Sequence, residues 1–359
     1  MMDGQLLEGF MEALRDLPEV QAEFSGAERR SSPDQERDAQ VDLRVGGNAV
    51  TLLIEMKKDV YPRDVRQALW QLRDSAPRSR HPEEKREAAS FLIARSISPG
   101  ARELLRSERV GYYDSGGSLF LPAGNIYVYV DKPPPKGMSR SIRSLFSGRR
   151  AQVLHAVLQR DREWFGVKGI ANQARVSPAT AWQVLTELEK FEWVVSRGQG
   201  PGKERHLQEP GALLDAWVKQ QAVMRPPSMR RYFVPAARGE GLVEKFAEAC
   251  AVSNAEYAIT HEAAGQRYAP FLSTVSQVRC RLPGGPAADK ALGALDARSA
   301  DQGANLAIIE VRSPGELLFR ESVNGIWLAS AVQVYLDLMR SEGRATEMAK
   351  HLRQERIGF

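Results

Sequence analysis

The 359-residue chain is 43% hydrophobic and 26% charged, with a formal net charge of +5 and a pI near 9.2. This is ordinary globular composition for two or three domains, and its basic balance suits a polyanionic partner. No apolar run approaches the ~20 residues of a membrane span, the start contains acids rather than a leader pattern, and Cys250 and Cys280 lack metal-binding spacing, so a cytoplasmic protein with no zinc site and no membrane partner is expected.

Two breaks divide the chain. Residues 132–148 hold a triple proline, Pro133 to Pro135, with basic side chains around it and no acid, which predicts an extended, positively charged linker. Arg225-Pro-Pro-Ser-Met-Arg-Arg231 is the second break. The expected domains are therefore residues 1–131, 149–224 and 230–359, in an α/β multidomain protein.

The first segment opens with an amphipathic helix. The alternating stretch Gln40–Val45, the turn Gly46-Gly-Asn48 and the apolar stretch Ala49–Lys57 predict a β-hairpin. Apolar periodicity predicts a helix over Arg63 to Arg73. Strands are expected over Ala89–Ala94 and Val110–Asp114, with a short helix from Pro99 to Arg106, giving the order α-β-β-α-β-α-β, and Ile126–Val130 is expected as a further strand.

On that order, Asp42 lies on one hairpin arm and Glu55-Met-Lys57 ends the other. Residues two apart on a strand share a face, so Glu55 and Lys57 point the same way, and Asp42 is expected to meet them across the hairpin. This pattern resembles the PD-(D/E)xK superfamily, the restriction-endonuclease-like fold, over roughly residues 10–130, with Val41 in place of the usual proline. The resemblance implies that Asp42 and Glu55 hold Mg²⁺ or Mn²⁺, with Glu23, expected on the first helix, as an extra ligand. Lys57 would stabilise a metal-activated water, and Gln67 would stand beside the site. Such domains are also reused for binding alone.

The middle segment predicts helices over Arg149–Arg160, Val167–Ala174 and Ser177–Phe191, the last capped by Ser177 and started by Pro178. Strands Trp193–Arg197 and Lys203–Leu207 flank the glycine-rich tip Gly198–Gly202. The run I-A-x-x-A-x-V-S-x-x-T-A (Ile170–Ala181) resembles the winged helix-turn-helix of bacterial regulators such as the MarR type. The third helix would enter the major groove and bring Ser177, Thr180 and Gln183 to phosphates or base edges. Arg197, Gln199, Lys203 and Arg205 on the wing, with Arg149 and Arg150 upstream, would follow the backbone of double-stranded DNA.

The last segment alternates apolar strands and helices, so an α/β or α+β domain is expected. Its runs YAITHEAAGQRYAP (257–270), VQVYLDL (332–338) and GRATEMAKHLR (343–353) resemble the AbiEi family, antitoxins and transcriptional regulators of type IV toxin–antitoxin systems. That resemblance covers roughly residues 149–359. It implies promoter binding without a cofactor and counteraction of a nucleotidyltransferase-like toxin. The nuclease-like first segment departs from simple family members. His261-Glu262 and Glu310 are expected to be structural. Two other functions compete with the regulator: a metal-dependent DNA endonuclease, and a recruiting protein whose winged helix contacts another protein. The oligomeric state stays open.

Overall fold

A computed structural model describes residues 2–26, 39–45, 48–74, 87–123, 126–160, 162–235, 239–272 and 274–359. Among them are thirteen α-helices and two seven-stranded mixed sheets, an α/β architecture. The chain divides into two compact units. One holds Met1–Ile142 and Glu187–Glu192; the other holds Arg143–Thr186 and Trp193–Phe359. The three expected segments thus meet two units, because the middle and last segments share one.

The first unit runs α1 (Met2–Arg15), β1 (Val20–Gly26), β2 (Ala39–Val45), β3 (Asn48–Val60), α2 (Pro62–Asp74), β4 (Glu87–Ile97), α3 (Pro99–Ser107), β5 (Gly111–Asp114), β6 (Leu119–Ala123) and β7 (Ile126–Val130). Its strands lie side by side in sequence order. The pairs β3–β4 and β4–β5 are parallel and the others antiparallel. Phe10 and Leu14 of α1 pack with Val41, Leu43, Leu52, Ile54 and Ile93. On the other face, Val65 and Ala68 of α2 and Ala101 and Leu105 of α3 pack with Leu92, Ala94, Tyr112 and Phe120. Helices therefore close both faces, as parallel central strands require. A Cβ at Gly111 would lie 2.4 Å from the Phe91 ring, so only glycine fits there.

Three expectations are corrected in this unit. Strands β1 and β6 were not expected, so Glu23 sits on β1 and not on the first helix. The proposed linker is only partly extended: α4 (Lys136–Leu145) occupies most of it and buries Met138 and Leu145. The boundary between the units falls within α4. The expected turn at Gly46-Gly47 lies outside the described residues.

The chain continues into the second unit with α5 (Gly148–Leu158), β8 (Trp164–Gly166), α6 (Val167–Gln173), α7 (Pro178–Lys190, whose last turn from Glu187 is grouped with the first unit), β9 (Val194–Arg197), β10 (Glu204–Leu207) and α8 (Pro210–Val223). β8, β10 and β9 form a three-stranded antiparallel sheet in that order. Then come β11 (Met229–Phe233), α9 (Gly239–Ser253), β12 (Ala258–Thr260), α10 (His261–Tyr268), β13 (Val278–Pro283), α11 (Pro286–Ala294), β14 (Arg298–Ser299), β15 (Leu306–Val311), β16 (Glu321–Val323), β17 (Ile326–Leu328), α12 (Ala331–Leu338) and α13 (Arg344–Leu352). The second large sheet has the order β14-β11-β15-β13-β12-β17-β16. Residue 230, the expected start of the last segment, lies inside β11. α8, placed by sequence in the middle segment, packs on α12, and Arg340 Nη2 beyond it donates to Met224 O at 2.9 Å.

The join within this unit is built around His155 of α5. The buried ring stacks on Phe319 at 5.2 Å and meets Trp217 of α8 edge-on at 5.0 Å, and its Nε2 lies 3.1 Å from Ser330 Oγ. Deeper in the last domain, Arg281 Nη2 donates to Asp337 Oδ1 at 2.8 Å, and Gln333 Nε2 donates to the same oxygen at 2.8 Å. Burial opposes the charge on Asp337, yet Arg281 and His261 hold its carboxyl below the ordinary carboxylate value.

Burial pulls the His155 pKa down from 6.5 to about 4. The unfolded chain therefore takes up a proton that the folded chain refuses. The stability from neutral His155 is complete above pH 6.5 and is lost as pH falls from there towards 4. Between pH 7 and pH 5 this one group should remove about 2 kcal/mol. In His155→Phe, urea midpoints should fall less between those pH values than in the wild type. An equal fall would show that His155 titrates freely.

Candidate nucleic-acid interface

α6 and α7 are joined by a tight turn. Val176 N donates to Ala171 O at 3.0 Å, and Arg175 takes a left-handed φ of 50°. Small residues make the close approach possible: Ala171, Ala174 and Ala181 are all buried. Ser177 caps α7, since Thr180 N donates to Ser177 Oγ at 3.1 Å, and Thr180 Oγ1 lies 2.9 Å from the same hydroxyl. These two predicted contact residues are therefore brought together, but in the cap itself.

Helical periodicity sorts the rest of α7. Ala181, Val184, Leu185 and Leu188 have no exposure. Ala179, Trp182 and Gln183 face outward and are exposed. Gln183 was predicted; Trp182, at 54% exposure, was not. The signal was in the spacing, one residue after buried Ala181 and two before buried Val184.

The hairpin β9–β10 pairs Arg197 with Glu204 and Val194 with Leu207. Gly198 (φ 73°) and Gly200 (φ 60°) supply the left-handed backbone of the tip. Arg197 is half committed: its Nη2 donates to Glu204 Oε2 at 2.7 Å, and its guanidinium lies 4.1 Å above the Trp164 ring. Gln199 is exposed at the tip, and Lys203 is partly covered and holds an interaction within the protein. Arg149 is exposed, whereas Arg150 Nη1 donates to Ser144 Oγ at 3.1 Å.

Arg205 overturns its prediction as a DNA contact. It is 1% exposed and is engaged within the protein. On β10 it shares a face with Leu207, also 1% exposed, so the alternation carries both side chains inward.

The carboxylates of the first unit separate into two places. Glu55 and Lys57 share a face as expected, with Lys57 Nζ 2.7 Å from Glu55 Oε1. Asp42, however, pairs with Thr51, whose Oγ1 donates to Asp42 Oδ1 at 2.6 Å. Thr51 and Glu55 are four residues apart on β3, about 13 Å. Strand side chains stand roughly perpendicular to the sheet, so Asp42 does not meet Glu55. Its cross-strand partner is Glu23, and the two line a cavity of about 60 Å³ with Gln21, Arg44 and Thr51. Further along the Glu55 face, Asp59 accepts from Arg95 Nη2 at 2.7 Å. Gln67 is exposed on α2. A carboxylate opposite Glu55 would have to come from the position before Ala39, which is Asp38 in the sequence and lies outside the described residues. The described residues thus do not assemble the donor set that the nuclease resemblance implies, and none of their His, Cys, Asp and Glu side chains form a group of three placed to hold a metal.

No protein-family model, curated protein or solved structure matches the chain. Among the described residues, no helix is long and apolar enough to cross a membrane.

Two wing arginines should differ in the cost of truncation. Arg205→Ala removes a buried, engaged charge and should cost roughly 3 kcal/mol or more. Arg197→Ala breaks an exposed pair and should cost under about 1 kcal/mol. Urea unfolding followed by tryptophan fluorescence checks this; equal midpoints for the two variants would contradict the inward placement of Arg205.

Proposed function

We propose that this chain is a transcriptional regulator that binds duplex DNA, with residues 148–207 acting as a winged helix. In this reading α7 is the recognition helix and β9–β10 the wing. One observation carries it: the inner face of α7 is wholly buried while its outer, N-terminal face is exposed, and no carboxylate occurs from Ser177 to Thr186. A helix start offers unpaired N–H groups and the positive end of the dipole, both suited to phosphate. Arg149, Lys168 and the half-exposed Arg197 supply positive charge on neighbouring elements.

We place the regulator in the AbiEi antitoxin type. The three runs that carry this resemblance support it by their arrangement, because β12–α10, α12 and α13 pack on one another. A Cβ at Gly265 would lie 2.9 Å from the methyl of Met348 and 3.4 Å from Leu338, so α10 comes close to both α12 and α13 at this glycine. The last domain would then answer a nucleotidyltransferase-like toxin, and the first unit would extend the DNA footprint.

The Glu55–Lys57 contact keeps a second reading in play, a metal-dependent deoxyribonuclease acting on the same DNA. One assay separates the two. Purified chain is mixed with labelled duplex in EDTA or in Mn²⁺, and each sample is run on native and denaturing gels, with Lys57→Ala alongside. The regulator shifts duplex in EDTA without cutting it. Its affinity falls 10-fold or more between about 50 and 200 mM salt, because releasing condensed counterions gains less free energy at higher salt. Cutting in Mn²⁺ that Lys57→Ala abolishes would replace the regulator with the nuclease. Absence of both shift and cutting at low salt would refute both.

A further inference from the structure

Trp182 is the large apolar side chain for which the proposed DNA reading has the most specific use. Three tryptophans are prominent on the surface: Trp164, Trp182 and Trp327. Trp164 lies under Arg197 at 4.1 Å, and Trp327 lies under Arg320 at 4.6 Å. Among the described residues no ring or guanidinium covers Trp182, which is the most exposed of the three at 54%. It stands at the fifth position of α7, about 6 Å along the helix from Pro178. That is the part of a recognition helix that reaches the floor of the major groove.

The hydroxyls expected to read bases are already in use. Ser177 Oγ accepts from Thr180 N and lies within hydrogen-bond distance of Thr180 Oγ1. They position the helix start. The outward side chains beyond the cap are Trp182 and Gln183, with only Ala179 between them and the cap. The major groove has one apolar group at its base edges, the C5-methyl of thymine, while adenine presents the N6–H donor and N7 acceptor that a glutamine amide matches.

We infer that Trp182 is a specificity-determining residue, its indole packing on thymine methyls in the major groove while Gln183 takes the neighbouring adenine. The inference rests on the DNA-binding reading and assigns it a preferred substrate, duplex with adjacent A·T pairs at the centre of the site. Exposed Arg149, Lys168 and Arg197 on neighbouring elements, with no carboxylate from Ser177 to Thr186 to repel phosphate, favour a polyanion as the cover for this ring. Burial against a methyl accounts for an exposed indole that the fold itself leaves open.

The test starts from duplexes enriched from a random pool by the wild-type chain. Thymines in the enriched core are then replaced by uracil, which removes only the methyl. Wild-type affinity should fall about 4-fold for each contacted methyl lost. Trp182→Ala should bind the thymine duplex more weakly and be indifferent to uracil, with an unchanged melting temperature. If Trp182→Ala keeps the thymine preference, or if the wild type has none, the inference is overturned while DNA binding stands. If the wild type enriches no duplex and binds none at low salt, the DNA reading itself has failed. An exposed tryptophan needed for a protein partner would give full DNA affinity in Trp182→Ala, which also overturns the inference.

Discussion

The burial of Ala181, Val184, Leu185 and Leu188 sets the direction in which α7 faces. With 3.6 residues per turn, sealing those four positions leaves Ala179, Trp182 and Gln183 no choice but to point outward. The alanines at 171, 174 and 181 let α6 and α7 approach closely, and the Ser177 cap holds the helix start. A larger side chain at any of those alanines would have to push the helices apart. The outward face is thus a by-product of a packed core, so its chemistry can be changed without altering the fold.

The same separation of structural and available charge recurs elsewhere. Arg102 in α3 donates to Asp114 at 2.6 Å and to Asp131 at 2.7 Å, while only 4% of its surface is exposed. Arg281 and Asp337 form a comparable buried pair in the second unit. These arginines contribute to the basic composition but have no charge to offer a partner. A net charge of +5 therefore says little until each basic side chain is located. On the α7–hairpin surface, Arg149 and Gln199 stay exposed while Arg205 is lost to the interior.

Much of the local structure was legible in the amino-acid pattern. The hairpin arms β2 and β3, the helices α2, α3, α6 and α7, and the strands β9 and β10 fall within a few residues of their expected ranges. In each, periodicity and capping agree. What stayed hidden had weaker local signals. β8 is three residues long, and β6 contains a proline. α4 follows three prolines and is crowded with basic residues, which mask the spacing of Met138 and Leu145. For the candidate sites, the shared face of Glu55 and Lys57 followed from strand alternation alone. The separation of Asp42 from them did not, because it depends on hairpin register, a non-local quantity. Arg205 was misplaced by weighing charge over alternation; Leu207 two residues later carried the correcting signal.

The central claim is that the outward face of α7 is the DNA-binding surface. Its most direct test places negative charge there without touching the core. The double substitution Ala179→Glu with Gln183→Glu alters two exposed positions, and fluorescence anisotropy with labelled duplex in EDTA gives the affinity. The account predicts a loss of at least about 10-fold, from repulsion at phosphates and base acceptors, with circular dichroism and melting unchanged. Undiminished affinity in a folded double variant would mean that α7 does not face the DNA, and the winged-helix reading would fall.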